Sequence, residues 1–127
     1  MAPRDLVERT RLFALAVLKF CRSAPPDSQD EIRQLRRAAN SVRANYRAAR
    51  RGRSRAEFQA KLGIVFEEAD ECVDSLKYFR DARIKHDADL IQEARELASI
   101  FAQALKTTRA NSERMKDLPG HDRSSRG

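Results

Sequence analysis

What most restricts the fold of this chain is a hydrophobic repeat of helical period that starts and stops four times. Over residues 5–22, Leu6, Val7, Thr10, Phe13, Ala14, Val17 and Cys21 recur on one side of a helical wheel, and Leu12, Ala16 and Phe20 widen that side beyond what a single buried face needs. "SAPPDS" then halts the repeat, because Pro25-Pro26 cannot continue a helix. Ser28 and Glu31, at capping-box spacing, open a second segment with Ile32, Leu35, Ala39, Val42, Tyr46 and Ala49 facing inward. It is expected to stop at Arg51-Gly52, with Gly52 in the left-handed conformation that often follows a helix. Ser54 and Glu57 form a second capping box. Phe58, Leu62, Val65, Ala69, Cys72, Val73, Leu76 and Phe79 then keep one face apolar. After "DARIKHD" a fourth segment starts around Asp87 and carries Leu90, Ile91, Ala94, Leu97, Ala98, Phe101, Ala104 and Leu105 inward.

Four amphipathic segments joined by short connections predict an all-α, up-down-up-down antiparallel four-helix bundle over residues 1–110, since short loops make consecutive helices antiparallel neighbours. No β-alternation of useful length and no strong internal repeat competes with this reading. The segment "NSERMKDLPGHDRSSRG" loses the pattern, so residues 111–127 are expected to be a disordered polar tail. Cys21 and Cys72 sit inside the apolar pattern and read as reduced core thiols of a cytoplasmic protein. The apolar run near the N-terminus is interrupted by Lys19 and followed by no cleavage site. No stretch approaches a membrane span, so neither a signal peptide nor a membrane partner is expected.

Charge is the second informative feature. With 26 Lys and Arg against 19 Asp and Glu, the chain carries a formal charge of +7, which favours anionic partners. The excess is concentrated in "EIRQLRRAANSVRANYRAARRGRSR", which has no acid after Glu31. On a wheel Arg33, Arg36, Arg37, Arg43, Arg47, Arg50 and Arg51 share an arc of about 140° with Asn40, on the side away from Ile32, Leu35, Val42 and Tyr46. Arg53 and Arg55 extend the stripe into the turn. Guanidinium groups suit bidentate recognition of phosphate and carboxylate. The stripe therefore has three readings: a solvated or ion-paired helix face, a nucleic-acid surface, or a surface for an acidic protein. The candidate nucleic-acid set is Arg36, Arg37, Arg43, Arg47, Arg50, Arg51, Arg53 and Arg55.

Its acidic counterpart is "EEADECVD", where Glu67, Asp70, Glu71 and Asp74 fall three and four apart on one side of the third helix. These carboxylates are expected to bridge arginines within the chain or across a subunit interface. Di-metal bundles use Glu-x-x-His pairs, and neither His86 nor His121 has that spacing, so no metal is expected. No phosphate loop, nucleophile elbow or dinucleotide fingerprint is present, and neither enzyme activity nor a cofactor is expected. Ser41 and Asn45 are expected to make an interhelical hydrogen bond. Tyr46 reads as a core or interface residue, with base stacking as the alternative.

Three ordered runs, "RLFALAVLKFCR", "QLRRAANSVRANYRAA" and "SRAEFQAKLGIVFEEADECVDSL", resemble the bacterial four-helix-bundle proteins known from reading frames inside intervening sequences of large-subunit ribosomal RNA genes. The matching positions include Gln34, Leu35, Arg36, Arg37, Ala38, Ser41, Asn45, Ser54, Phe58, Ala69 and Glu71, and the resemblance covers roughly residues 6–110. Where that family commonly has an acid and a small residue after the asparagine, this chain has Tyr46-Arg47-Ala48-Ala49 and is more basic. The resemblance implies an up-down bundle assembled as a homo-oligomer, commonly a pentamer, with no enzyme activity. A related bundle, the accessory protein of diversity-generating retroelements, is a basic pentameric ring that engages nucleic acid and a reverse transcriptase. The expected function is thus a non-enzymatic, oligomeric, basic adaptor that binds RNA or DNA through phosphate contacts. The alternative is a structural or protein-interaction module whose arginines form intersubunit salt bridges.

Overall fold

The computed structural model describes residues 6–116, which form four helices: α1 Leu6–Arg22, α2 Gln29–Arg50, α3 Arg55–Asp81 and α4 Ala88–Lys116. Each helix packs on its neighbours in the order α1–α2–α3–α4, and α4 returns to α1 along the thinnest of the four seams. This is the expected four-helix bundle. Two aromatic pairs cross its centre between diagonal helices. Phe20 of α1 meets Phe79 of α3 with ring centroids 5.4 Å apart, and Tyr46 of α2 meets Phe101 of α4 at 5.2 Å. Such tilted pairs add to the burial of the rings themselves. Leu35, Val42, Leu62, Val65, Leu76 and Leu97 fill the layers between them.

The helix ends show where local chemistry acts. Ser54 caps α3 as expected, its hydroxyl accepting from the Glu57 N–H at 3.1 Å. Asp87 does the same for α4, accepting from the Leu90 N–H at 3.0 Å. Ser28 does not cap α2. A short 3-10 turn, Pro26–Ser28, precedes the helix, and the Ser28 hydroxyl donates instead to the Pro25 carbonyl at 2.6 Å. Gly52 is not left-handed either. A Cβ there would lie 3.1 Å from the Ala49 carbonyl oxygen, so the residue serves close approach. The left-handed residue is Arg83, with φ 60°, after α3. There the Ile84 N–H reaches the Phe79 carbonyl at 2.9 Å and the Arg83 N–H reaches that of Arg80 at 3.0 Å, closing a Schellman motif with Ile84 folded onto the core. Finally, α4 continues through Lys116, six residues into the segment expected to be a disordered tail. Ser112 holds it to α3 by donating to Gln59 at 3.0 Å. Residues 117–127 lie outside the described residues.

Arg9 pins the thin α1–α4 seam. Its guanidinium donates to both carboxylate oxygens of Glu93 at 2.7 Å and to Glu96 at 2.8 Å. Those bonds, to Glu93 first, hold the Arg9 pKa above its usual value. They also hold Glu96 below its ordinary 4.5, Arg9 first and Gln92 second. A carboxylate whose folded pKa is depressed stabilises the fold above its unfolded pKa, and the contribution fades as pH falls through the folded value. Arg9→Gln should therefore lower the melting temperature by about 3–6 °C at pH 7. The deficit should shrink as pH falls through the lowered folded pKa of Glu96 and the carboxylate loses its charge. Thermal melts of both proteins at pH 7 and pH 3 check this.

Candidate nucleic-acid interface

The arginine stripe can form because α2 buries only one side. Ile32, Leu35, Ala38, Ala39, Val42, Tyr46 and Ala49 face the core, leaving the remaining positions for long charged side chains whose stems lie along the surface. Within the stripe, Arg36, Arg43, Arg47 and Arg50 fall within an arc of about 60°, a nearly straight column about 21 Å long at 1.5 Å per residue. Arg51, Arg53 and Arg55 continue it around the α2–α3 turn. All of these are exposed except Arg43, which is half-buried.

The column does not stand opposite the core, as the wheel suggests. Arg33, Arg36, Arg37 and Arg43 line a groove of about 650 Å³ between α2 and α1, whose other wall is Arg11, Ala14, Leu15, Val17 and Leu18. Arg43 is the last α2 arginine on this groove, and Arg47, Arg50, Arg51, Arg53 and Arg55 lie beyond it. That end of the bundle also receives the C-terminal turns of α4, with exposed Arg109 and Arg114. Sequence reasoning overlooked these two because they sit far from the stripe in the chain.

The acidic cluster neutralises less of the stripe than expected. Arg37 turns toward α3, where it donates to Glu68 at 3.0 Å and to Glu71 at 2.6 Å. These bonds, to Glu68 first, raise the Arg37 pKa. Glu68 was missed in the sequence, although its position three residues before Glu71 marks it as a neighbour on the α2-facing edge. Arg33 pairs with Asp30 on its own helix, and Arg43 donates to Asn40. Among the described residues, Arg36, Arg43, Arg47, Arg50, Arg51, Arg53 and Arg55 have no carboxylate partner, and Glu67, Asp70 and Asp74 have no arginine. Of the eight candidate arginines, only Arg37 has a carboxylate partner among the described residues.

The remaining candidates resolve simply. Tyr46 is buried against Phe101, and burial pushes its hydroxyl pKa up, so base stacking is closed to it. Asn45 donates to the Ser41 carbonyl at 3.0 Å and to the Ser41 hydroxyl at 2.9 Å within α2, so the expected interhelical bond is absent. Among the described residues no three His, Cys, Asp or Glu are grouped to hold a metal ion, and no helix is long and apolar enough to cross a membrane.

Comparison with known proteins agrees with this architecture. The family model described as 23S rRNA-intervening sequence protein matches residues 4–107. No curated protein matches the chain. Among solved structures, a Bacteroides thetaiotaomicron protein of unknown function from the S23 ribosomal protein family is similar, with a TM-score of 0.69 and 23% sequence identity over 80% of this chain and 98% of that one. At that identity the likeness concerns the fold.

Proposed function

The chain belongs to the 23S rRNA-intervening sequence protein family, and we propose that this member binds the phosphate backbone of nucleic acid through the α2–α3 end of its bundle. The observation that carries the reading is the run of arginines beyond the groove. Residues 44–55 hold Arg47, Arg50, Arg51, Arg53 and Arg55 and no acid, and none of the five has a carboxylate partner among the described residues. Unpaired like charges gathered on one helix end and its turn repel one another, and a polyanion relieves that repulsion. Phosphate contacts position a protein without reading bases, so the binding is weakly selective for sequence. No exposed aromatic residue interleaves the run, which also argues against base stacking.

The test is a salt titration with a long single-stranded RNA. Each neutralised phosphate adds about −0.7 to the slope of log K against log salt for single strands. Replacing Arg47, Arg50, Arg51 and Arg53 with Gln should flatten that slope by about 3 and lower affinity at least tenfold at low salt. A variant that stays folded and binds with the wild-type slope would remove these arginines from the interface. The alternative, that the arginines serve protein contacts only, is favoured if wild-type protein shows no salt-dependent binding to RNA or DNA.

A further inference from the structure

We infer that the seam between α1 and α2 is a binding site for a free long-chain acyl anion, a fatty acid with its carboxylate on Arg43. This goes beyond the nucleic-acid reading, because it uses Arg36 and Arg43 and leaves Arg47, Arg50, Arg51, Arg53 and Arg55 to phosphate.

The first observation is the shape of the seam. The groove of about 650 Å³ adjoins a second cavity of about 400 Å³, and the two share Leu18 and Arg36. Together they follow α2 from Gln29 to Arg43, about 21 Å at 1.5 Å per residue. An extended hydrocarbon chain advances about 1.3 Å per carbon, so about sixteen carbons reach from one end to the other. Cavities of this volume are of the size that takes small molecules.

The second observation is the chemistry of the walls. The apolar part is Ala14, Leu15, Leu18, Ala24 and Ile32. Part of the wide apolar arc of α1 is spent here. Phe20 is buried inside the bundle and Ala16 is half-buried against the core, whereas Leu15, 43% exposed, and Leu18 border the seam. The guanidinium groups of Arg11, Arg22, Arg33, Arg36, Arg37 and Arg43 line the rest, and no carboxylate does. Of the two amides in the lining, Asn40 gives its oxygen to Arg43, and Gln29 donates to the Pro26 carbonyl at 3.2 Å. A base, a sugar or a peptide placed here would turn its own donors toward guanidinium groups, which only donate. A ligand whose polar atoms are all acceptors, gathered at one end of a hydrocarbon body, leaves no donor unsatisfied.

The third observation places the head. Arg11 is paired with Glu8, Arg33 with Asp30, and Arg37 with Glu68 and Glu71. Arg22, Arg36 and Arg43 have no carboxylate partner among the described residues. Of these three, Arg43 is half-buried and held in place, because the Asn40 oxygen accepts from its Nε at 3.1 Å and from its Nη2 at 2.7 Å. A guanidinium fixed in this way presents its remaining N–H groups to a carboxylate without further ordering. The chain then runs beneath the stem of Arg36 toward Ala24, since arginine stems cover apolar surface while their heads stay in water.

Isothermal titration calorimetry of the full chain with sodium palmitoleate, kept below its micelle threshold, tests the site. Wild-type protein should bind saturably and melt at a higher temperature with the ligand present. The methyl ester of the same acid, which lacks the charge, should bind more weakly by about tenfold or more. Octanoate, too short to fill the seam, should be weaker by about a hundredfold or more. Arg43→Gln should weaken palmitoleate binding by about tenfold or more. Leu15→Glu should abolish it while the protein stays helical by circular dichroism, because this leucine is partly exposed already. No saturable binding by wild type, equal affinity for the ester, or wild-type affinity in Arg43→Gln would each overturn the assignment. Phosphatidylglycerol vesicles that carry the protein down while palmitoleate gives no heat would assign the seam to a membrane surface and overturn it as well. The variant with Arg47, Arg50, Arg51 and Arg53 replaced by Gln should bind palmitoleate as wild type does, so this site and the nucleic-acid reading fail separately.

Discussion

Leu76→Ala should lower the unfolding free energy by about 3–4 kcal/mol and the melting temperature by about 10–15 °C. Leu76 is 1% exposed and sits in α3, the helix that packs along both α2 and α4. Truncation removes three methylene-equivalent groups from the core and leaves a cavity that three rigid helices cannot collapse to fill. Both terms count, because the lost transfer free energy is joined by the lost dispersion contacts of the cavity lining. Leu62, also 1% exposed, should behave alike. For a domain whose total stability is on the order of 5–15 kcal/mol, either change shifts the folded-to-unfolded ratio by a factor of several hundred. Urea melts check this. A midpoint within experimental scatter of wild type would mean that the helix packing described for α3 is wrong.

Cys72 should be silent to thiol reagents in the folded protein and react only through opening of the bundle. It is fully buried in the middle of α3, and its thiol pKa is driven far above the ordinary range by burial first and by the charges of Glu71 and Glu68 next, with Arg37 offsetting part of the effect. The thiolate is the reactive form, so burial suppresses both access and ionisation. Where opening requires global unfolding, the rate relative to the denatured chain falls by a factor on the order of 10⁴ or more. Cys21, 5% exposed at the end of α1, is shifted upward by burial, but Arg36 and Lys85 oppose that shift, so it should react first. Following mixed-disulfide formation at pH 8, with and without denaturant, separates the two phases. Native-state labelling of Cys72 at the denatured rate would contradict its place in the core.

Much of the bundle was legible because helical burial leaves a local trace. The spacing of Leu62, Val65, Ala69, Cys72, Leu76 and Phe79 reports which side of α3 must leave water, whatever it packs against. The cap at Ser54 was legible for the same reason, since donor and acceptor lie three residues apart. Ser28 has the same spacing to Glu31, but the two prolines ahead of it put a 3-10 turn in the way, and its hydroxyl found a nearer carbonyl. Gly52 was misjudged because a glycine permits positive φ without requiring it, and the sequence offered no sign of the positive φ at Arg83. At Arg83 the pairing of Ile84 with the Phe79 carbonyl sets the turn, and no residue type announced it.

The site shows the division most clearly. The sequence by itself determined that α2 carries a continuous stripe of arginines and α3 a set of carboxylates, because each set lies on one helix and a wheel resolves it. Only the tertiary structure decided which of these charges meet. Pairing depends on which helix edges are adjacent and at what height, and those are properties of the packed bundle. Both Arg36 and Arg37 border the α1–α2 groove, but Arg37, about 100° further round the helix, reaches the α3 edge and finds Glu68 and Glu71, whereas Arg36 meets no carboxylate among the described residues. Glu67 and Asp74 lie on the same helix as Glu68 and Glu71, yet no arginine among the described residues pairs with them, and Asp74 lines a cleft with Asp30, Glu31 and Gln34 of α2 instead. A charge pattern in a sequence counts the available ions. The packing of helices, which brings some within about 4 Å and leaves others in water, sets which are neutralised inside the chain and which remain to hold a partner.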